Sequence, residues 1–335
     1  MKILYCDMQY DYGVCQNGPN FIGMSFQKAF QKNGCQVVTF YYDEFAQTAK
    51  PSPILQKLLL EKAEEVKPDL IFFSLFTHQF DFATLGQLKQ RYTTAAWFGD
   101  DTWRFDDYSR LYAPHFSWCV TTDRFAVEKY RLQGQNNVIT SQWAAIDDER
   151  PQPDFDGRFL YDVSFVGQFN RYRSWFVEKL VAAGFNVKCF GKGWKDGMLG
   201  IEEMKDVFLR SRINLNIANS ICHDVRFLFS SPQALLRYFR SPKNMGQIKA
   251  RNFEIPYYGG FQLTDYVPGI EDYFEIGREI ACYKDVDEAI LLVKYFLEHE
   301  KQRQEIAGAA HSKARLQHGY INRIKEILEI MRKTG

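Results

Sequence analysis

The sequence predicts an α/β protein made of two consecutive, doubly wound domains, and three observations lead there. At 335 residues the chain exceeds the size at which a single hydrophobic core keeps growing. Short apolar runs rich in β-branched and aromatic residues alternate with amphipathic stretches, the mark of βαβ units around a parallel sheet buried on both faces. The alternation breaks at a polar stretch with two prolines and then begins again.

In the first series the strand-like runs are 2–8, 36–42, 70–75, 94–99, 118–122 and 137–143. The segments FQKAFQKNG and VEKYRLQG between them end at Gly34 and Gly134, each placed as the glycine that closes a helix before the next strand. The stretch AAIDDERPQPDFD (144–156) has neither helical nor strand periodicity. It sets a first domain at 1–145, a linker at 146–158 and a second domain at 159–335. The second series has runs at 162–167, 186–191, 213–218, 260–266 and 279–283. DVDEAILLVKYFLEH opens with Asp285 and Glu288 at capping-box spacing, and helical material continues to about residue 332, the last helix being a candidate to cross back to the first domain. Two such domains place a ligand cleft between the carboxyl ends of their strands.

Composition narrows the function classes. With 46% hydrophobic and 25% charged residues the chain is not a disordered one. A formal net charge of +1 gives no global attraction to nucleic acid. Aromatic residues, at 16%, suit stacking on sugars or bases, and large buried hydrophobes account for them equally. The seven cysteines, at 6, 15, 35, 119, 189, 222 and 282, form no C-x-x-C pair, so neither a zinc cluster nor a disulfide framework is expected, and a reducing cytoplasm is. The opening MKILYCDM reads as a strand, not a signal peptide, and no apolar run reaches the roughly 20 residues of a membrane span. Membrane contact is expected to be peripheral, at the inner face.

Among motifs, G-x-G-x-x-G, the P-loop, H-E-x-x-H and G-x-S-x-G are all missing. The loop after the first strand holds Gly13, Gly18, Pro19 and Gly23, where backbone can approach a ligand or simply turn. The second domain opens with DVSFVGQFNRYRSWFVEKL: a buried strand, Gly167, then Arg171 and Arg173 at a helix start, a setting suited to phosphate. Between Asp224 and Glu254 no acidic residue occurs, while Arg226, Arg237, Arg240, Lys243, Lys249 and Arg251 do. Lys249 and Arg251 are placed to hold a diphosphate. The earlier four, interleaved with Phe227, Phe229, Tyr238 and Phe239, suit a membrane surface or lipid-linked acceptor, or a solvated loop. In the first domain Asp100 and Asp101, in WFGDDTWRF, follow a strand and are candidates to bind or deprotonate an acceptor hydroxyl, with helix capping as the competing role. His78, in SLFTHQFD, is a similar candidate to touch the donor sugar.

The segment from RNFEIPYYGG to HGYINRI, with INLNIA, CFGKGW and DVSFVGQFNRYR before it, resembles CgeB-like glycosyltransferases of the GT-B fold, near the retaining family of sucrose and glycogen synthases. WFGDDTWRFDDY and VTTD resemble the family more loosely. The resemblance implies two Rossmann-like domains facing a central cleft and a nucleotide-diphosphate sugar as donor. It implies a glycan, lipid-linked or protein acceptor, and neither metal nor further cofactor. Glu254 matches the glutamate that binds the donor ribose hydroxyls. Gly167 and Arg171 match the glycine turn and its phosphate-contacting basic residue, and Lys249 or Arg251 a second one. Gly246 stands where related enzymes often carry a second glutamate, on the donor sugar. The reading is therefore retaining glycosyl transfer; a non-catalytic nucleotide-sugar or glycan binder and a GT-B epimerase are the alternatives.

Overall fold

The computed structural model describes residues 1–45, 50–148, 155–218, 223–243 and 245–334. Residues 149–154 of the expected linker, and Cys222, lie outside them. The chain divides into two units, Met1–Asp147 with Tyr320–Gly335, and Asp148–Gly319.

The first unit runs β1 (Lys2–Asp7), α1 (Phe21–Lys32), β2 (Gln36–Tyr41), α2 (Pro53–Val66), β3 (Leu70–Ser74), α3 (Phe82–Arg91), β4 (Thr93–Phe98), α4 (Asp101–Arg104), α5 (Arg110–Tyr112), β5 (Trp118–Thr121), α6 (Ala126–Leu132) and β6 (Val138–Thr140). Its strands are all parallel, in the order β2-β1-β3-β4-β5-β6. The continuous apolar strands follow from burial on both faces. In β1, Leu4 and Cys6 pack in a cluster with Leu55 and Leu59 of α2. Ile3 and Tyr5, on the other face, pack with Phe26 and Phe30 of α1. Each such fully buried large side chain contributes roughly 1.5–3 kcal/mol. Gly34 and Gly134 close α1 and α6 at φ +76° and +79°, the left-handed conformation that a side chain disfavours.

The second unit runs β7 (Tyr161–Val166), α7 (Arg171–Ala182), β8 (Val187–Phe190), α8 (Ile201–Leu209), β9 (Ser211–Asn216), α9 (Val225–Leu228), α10 (Pro232–Arg240), α11 (Arg251–Tyr257), β10 (Gln262–Asp265), β11 (Ala281–Tyr283), α12 (Val286–Glu298) and α13 (Glu300–Gln317). Its parallel sheet has the order β11-β10-β9-β7-β8. Asp285 caps α12, its carboxylate accepting from Glu288 N at 2.9 Å. Glu288 returns its bond one residue earlier than a capping box requires, to Lys284 N at 2.8 Å.

The last helix, α14 (Tyr320–Thr334), belongs to the first unit. Tyr320 packs 5.0 Å from the Phe26 ring, Asn33 Nδ2 donates to Ile321 O at 3.0 Å, and Ile321 N donates to Asp147 at 3.0 Å.

Two carboxylates are sealed inside the first unit. At the end of β1, Asp7 accepts from Tyr5 OH (2.6 Å), Met8 N (2.8 Å) and Asn20 Nδ2 (3.2 Å). Asp101, at the start of α4, accepts from Thr121 Oγ1 (2.6 Å) and Tyr130 OH (2.8 Å), joining α4 to β5 and α6. Burial, only partly offset by these donors, pushes the carboxyl of Asp7 up to about 7 and that of Asp101 up to about 6. In the unfolded chain both ionise near pH 3.8. Between that pH and their folded values the native state holds more protons than the unfolded one, so their contribution to stability is full below about pH 4 and is lost as the pH rises through 6 and 7. Urea denaturation of Asp7→Asn beside the native chain is therefore expected to show the variant gaining stability relative to it between pH 4 and 7, by a few kcal/mol. A pH-independent difference between the two would contradict the assignment.

Candidate functional site

In a parallel sheet a ligand crevice opens where neighbouring strands send their connections in opposite directions. Both sheets have one such point, between β1 and β3 in the first unit and between β7 and β9 in the second.

At the first, the ends of β1, β3 and β4 and the start of α4 enclose a cavity of about 200 Å³. Its wall combines carboxylates, Asp7 and Asp100, with a guanidinium, Arg104, and the rings of Trp97, Tyr108 and Trp143. Arg104 lies 4.0 Å over the Tyr108 ring, which fixes the charge at the cavity wall. Gly23 lets α1 approach Asp7: a Cβ there would collide with Asp7 Oδ2. Trp97 is buried, and among the described residues its Nε1 donor has no hydrogen-bond partner. A wall of aromatic rings with the carboxylate of Asp100 suits a hydroxylated ring, whose C–H faces stack on aromatics and whose hydroxyls donate to the carboxylate.

Of the residues expected here, Asp100 lines the cavity and stands before α4 without capping it through its side chain. Asp101 points inward to Thr121 and Tyr130 and is not part of the wall. His78 lies after β3 with its Nδ1 3.1 Å from Tyr112 OH and its ring 5.2 Å from that of Tyr108, beside the cavity and outside its wall. The sequence reading missed Asp7, Arg104, Trp97 and Trp143. A polar residue ending an apolar strand ahead of a glycine-bearing loop was the available signal for Asp7.

At the second switch point Arg173 fills the gap. Its Nη1 donates to Gln168 O after β7 (2.8 Å), and its Nε and Nη2 donate to Ile217 O after β9 (3.0 and 2.8 Å). Its backbone N is in turn bonded by Asn170, which caps α7. Burial, and the nearby Arg251 charge, hold the Arg173 pKa below its ordinary value, while Asp265 opposes them. Asp265 is itself tied to Ala218 N at 2.9 Å. Arg251 Nη1 pairs with Glu254 at 2.7 Å, and its guanidinium lies 5.3 Å over the Phe208 ring. Glu254 is buried; burial raises its pKa and the Arg251 charge lowers it. The structure thus gathers Arg173, Arg251 and Glu254 around the ends of β7, β9 and β10.

Arg171, by contrast, is the exposed first residue of α7, where guanidinium and helix dipole both favour an anion. Lys249 is half-buried just before α11, its backbone N bonded to the Asn252 side chain at 3.0 Å. Gly167 has its N–H bonded to Phe190 O and its carbonyl to Trp194 Nε1, both 2.9 Å. A Cβ on Gly167 would meet the Phe165 ring, and one on Gly191 would strike the Gly167 carbonyl, so the two turns pack closely here.

Residues 171–329 match a family model described as glycosyl transferase-like. Among solved structures, Anabaena Alr3699/HepE in complex with UDP and glucose is similar over 99% of this chain and 100% of its own, at 11% identity and a TM-score of 0.63. T4 phage BGT in complex with its UDP-glucose substrate is similar over 99% of each chain, at 12% identity and a TM-score of 0.56. TarM is similar over 82% of this chain, at 8% identity and a TM-score of 0.57, and this chain spans 58% of TarM's length. No curated protein matches the sequence. The chain has the GT-B fold of such glycosyltransferases, and the glycosyl transferase-like match runs through most of its second unit and into α14.

Proposed function

We propose that the chain is a glycosyltransferase, CgeB-like, which moves a sugar from a nucleotide-diphosphate donor bound by the second unit to a hydroxyl of an acceptor bound by the first. The observation that carries this reading is the buried Glu254 carboxylate, paired with the partly exposed Arg251 on α11, beside the Arg173-braced switch point. A carboxylate offers about four lone-pair sites. Arg251 takes one from Glu254, and the others suit the two hydroxyls of a ribose. Arg171 and Lys249 supply charge for the diphosphate, and Arg173, committed to three backbone bonds, holds the loops that position them. HepE is solved with UDP and glucose, and BGT with its UDP-glucose substrate, which makes UDP-glucose the first donor to test.

In the reaction the bond from the anomeric carbon to the phosphate oxygen breaks and a bond to the acceptor oxygen forms. The hydroxyl proton passes to the departing diphosphate. Donors fixed where that negative charge grows favour the transition state more than the ground state. Attack from the same face, with retention, is the outcome that the CgeB-like resemblance favours. In the first unit Asp100 accepts hydroxyl hydrogen bonds, and the rings of Trp97, Tyr108 and Trp143 pack on the sugar. Asp101 keeps α4, and with it Asp100, in place. His78 orients Tyr112 at the side of the cavity. A glycan end fits this wall; a lipid-linked or protein acceptor carrying such a sugar fits it equally.

Gly246 favours a second reading, a non-catalytic nucleotide-sugar binder, because it lacks the carboxylate that related enzymes place on the donor sugar. Such a binder raises the melting temperature with donor but releases no nucleotide.

With the donor identified by thermal shift among UDP-, GDP- and dTDP-sugars, Arg171→Ala and Glu254→Gln are each expected to lower kcat/KM for it by roughly ten- to a hundredfold, the worth of a charged hydrogen bond. Unchanged kinetics in both would remove the donor site from this end of the sheet. Arg173→Ala is expected to act differently, costing on the order of 2 kcal/mol of stability in a thermal or urea melt because it removes the ties between the two loops and orphans the carbonyl of buried Ile217.

On the acceptor side, Asp100→Asn is expected to raise KM for the acceptor about tenfold while leaving the donor Kd unchanged. A raised donor Kd with unaltered acceptor KM would assign the cavity to the donor.

A further inference from the structure

The basic, aromatic segment between β9 and α11 forms a platform. Its inner side is fixed to the second unit. Phe227 of α9 packs 5.3 Å from the Tyr172 ring and 5.6 Å from that of Trp175 on α7, and Ala234 of α10 enters the same core. Arg226 bonds Asp224 and reaches Asp287 at the start of α12 (3.0 Å), and Tyr238 OH lies 3.1 Å from His223 Nδ1.

Its outer side is apolar where a surface normally is not. Phe229 and Phe239 are 79% and 76% exposed, and Val225 and Leu236 are exposed beside them in sequence. On α10 the helical period separates the roles. Ala234 and Tyr238, four residues apart, face the body. Pro232, Leu236 and Phe239 share the opposite stripe, and Arg240 and Arg237 follow along one side of it. Both arginines are exposed, and no acidic residue occurs from Val225 to Phe253.

We propose that this platform docks on an anionic lipid surface, with Phe229, Leu236 and Phe239 entering the interface and Arg237 and Arg240 meeting lipid phosphates. Charge complementarity selects this occupant: a short helix with an apolar stripe, cations along one side of it and no acidic residue in the segment is matched by headgroups that carry negative charge over acyl chains. No helix among the described residues is long and apolar enough to cross a membrane, so this contact lies in the plane of the surface. The inference stands apart from the transferase reading, because it uses none of the residues assigned to donor or acceptor.

The test is sedimentation of the full chain with vesicles of phosphatidylcholine alone and with about 30% phosphatidylglycerol, at low and high salt. Binding is expected only to the anionic vesicles and is expected to weaken as salt screens it. Phe229→Ser with Phe239→Ser, and separately Arg237→Glu with Arg240→Glu, are each expected to weaken it by about tenfold or more without a change in Tm. No vesicle binding, equal binding to both compositions, or full binding by the aromatic double variant would overturn the proposal. So would concentration-dependent self-association, abolished by the same variants, in the absence of vesicle binding, which would make the platform a contact between copies. Donor turnover measured on the same variants separates the two readings, since the docking variants are expected to keep it on a soluble acceptor.

Discussion

In each sheet the chain leaves its first strand toward one edge and returns to place its third strand on the other side, and the gap opened at the carboxyl ends is closed by one charged side chain. In the first unit that side chain is Asp7, in the second Arg173. A charge in such a place costs free energy unless its partners are supplied. Arg173 receives carbonyl acceptors from both diverging loops, so its guanidinium is the tie that keeps them together. Asp7 receives a tyrosine hydroxyl, a backbone amide and an asparagine amide, and still keeps its proton to about pH 7. The two solutions differ in sign, and the surfaces above them differ with it.

Around Arg173 the added groups are Arg251 and, farther out, Arg171 and Lys249, while the carboxylates Glu254 and Asp265 are each bonded to a donor. A fixed positive field at the carboxyl ends of parallel strands suits a diphosphate before any ligand arrives, because the donors need not reorganise. Around Asp7 the added groups are Asp100, a stacked arginine and tryptophan and tyrosine rings. That surface offers acceptors and ring faces, which is what a sugar hydroxyl and its C–H face require. The contrast between a cation-rich surface in one unit and a carboxylate- and ring-lined surface in the other therefore goes with the residue that closes each gap.

Much of the fold was legible because it rests on local pattern. Every strand-like run in the sequence overlaps a strand of the structure, with β4, β7 and β9 starting one or two residues earlier than expected, and Gly34, Gly134 and Asp285 end or begin helices as their residue types require. The site was less legible, for a physical reason. Arg173 looks like a phosphate ligand beside a helix start, but its acceptor at Ile217 lies 44 residues away and only the sheet order brings it near. Asp100 and Asp101 are adjacent in sequence and diverge in space, one lining the cavity and one bonded to β5 and α6. Asp7 reads as the polar end of a strand until the first turn of α1, which carries Gly23, is seen to pack against it.

The abundance of aromatic residues has two separate explanations, and burial tells them apart. Tyr5, Phe26, Phe30 and Phe72 lie edge to face and tilted inside the first unit, where ring area stabilises the sheet and no ligand is needed to account for them. Phe229 and Phe239 gain nothing of that kind from the fold. A side chain of that size held three-quarters in water is unfavourable for an isolated monomer, and a segment already anchored by Phe227 and Ala234 has no structural use for two more rings. The cations beside them limit which apolar phase can accept those rings. Burying them against an uncharged protein core would leave Arg237 and Arg240 without counter-charges, whereas a headgroup layer supplies charge and acyl chains at the same depth.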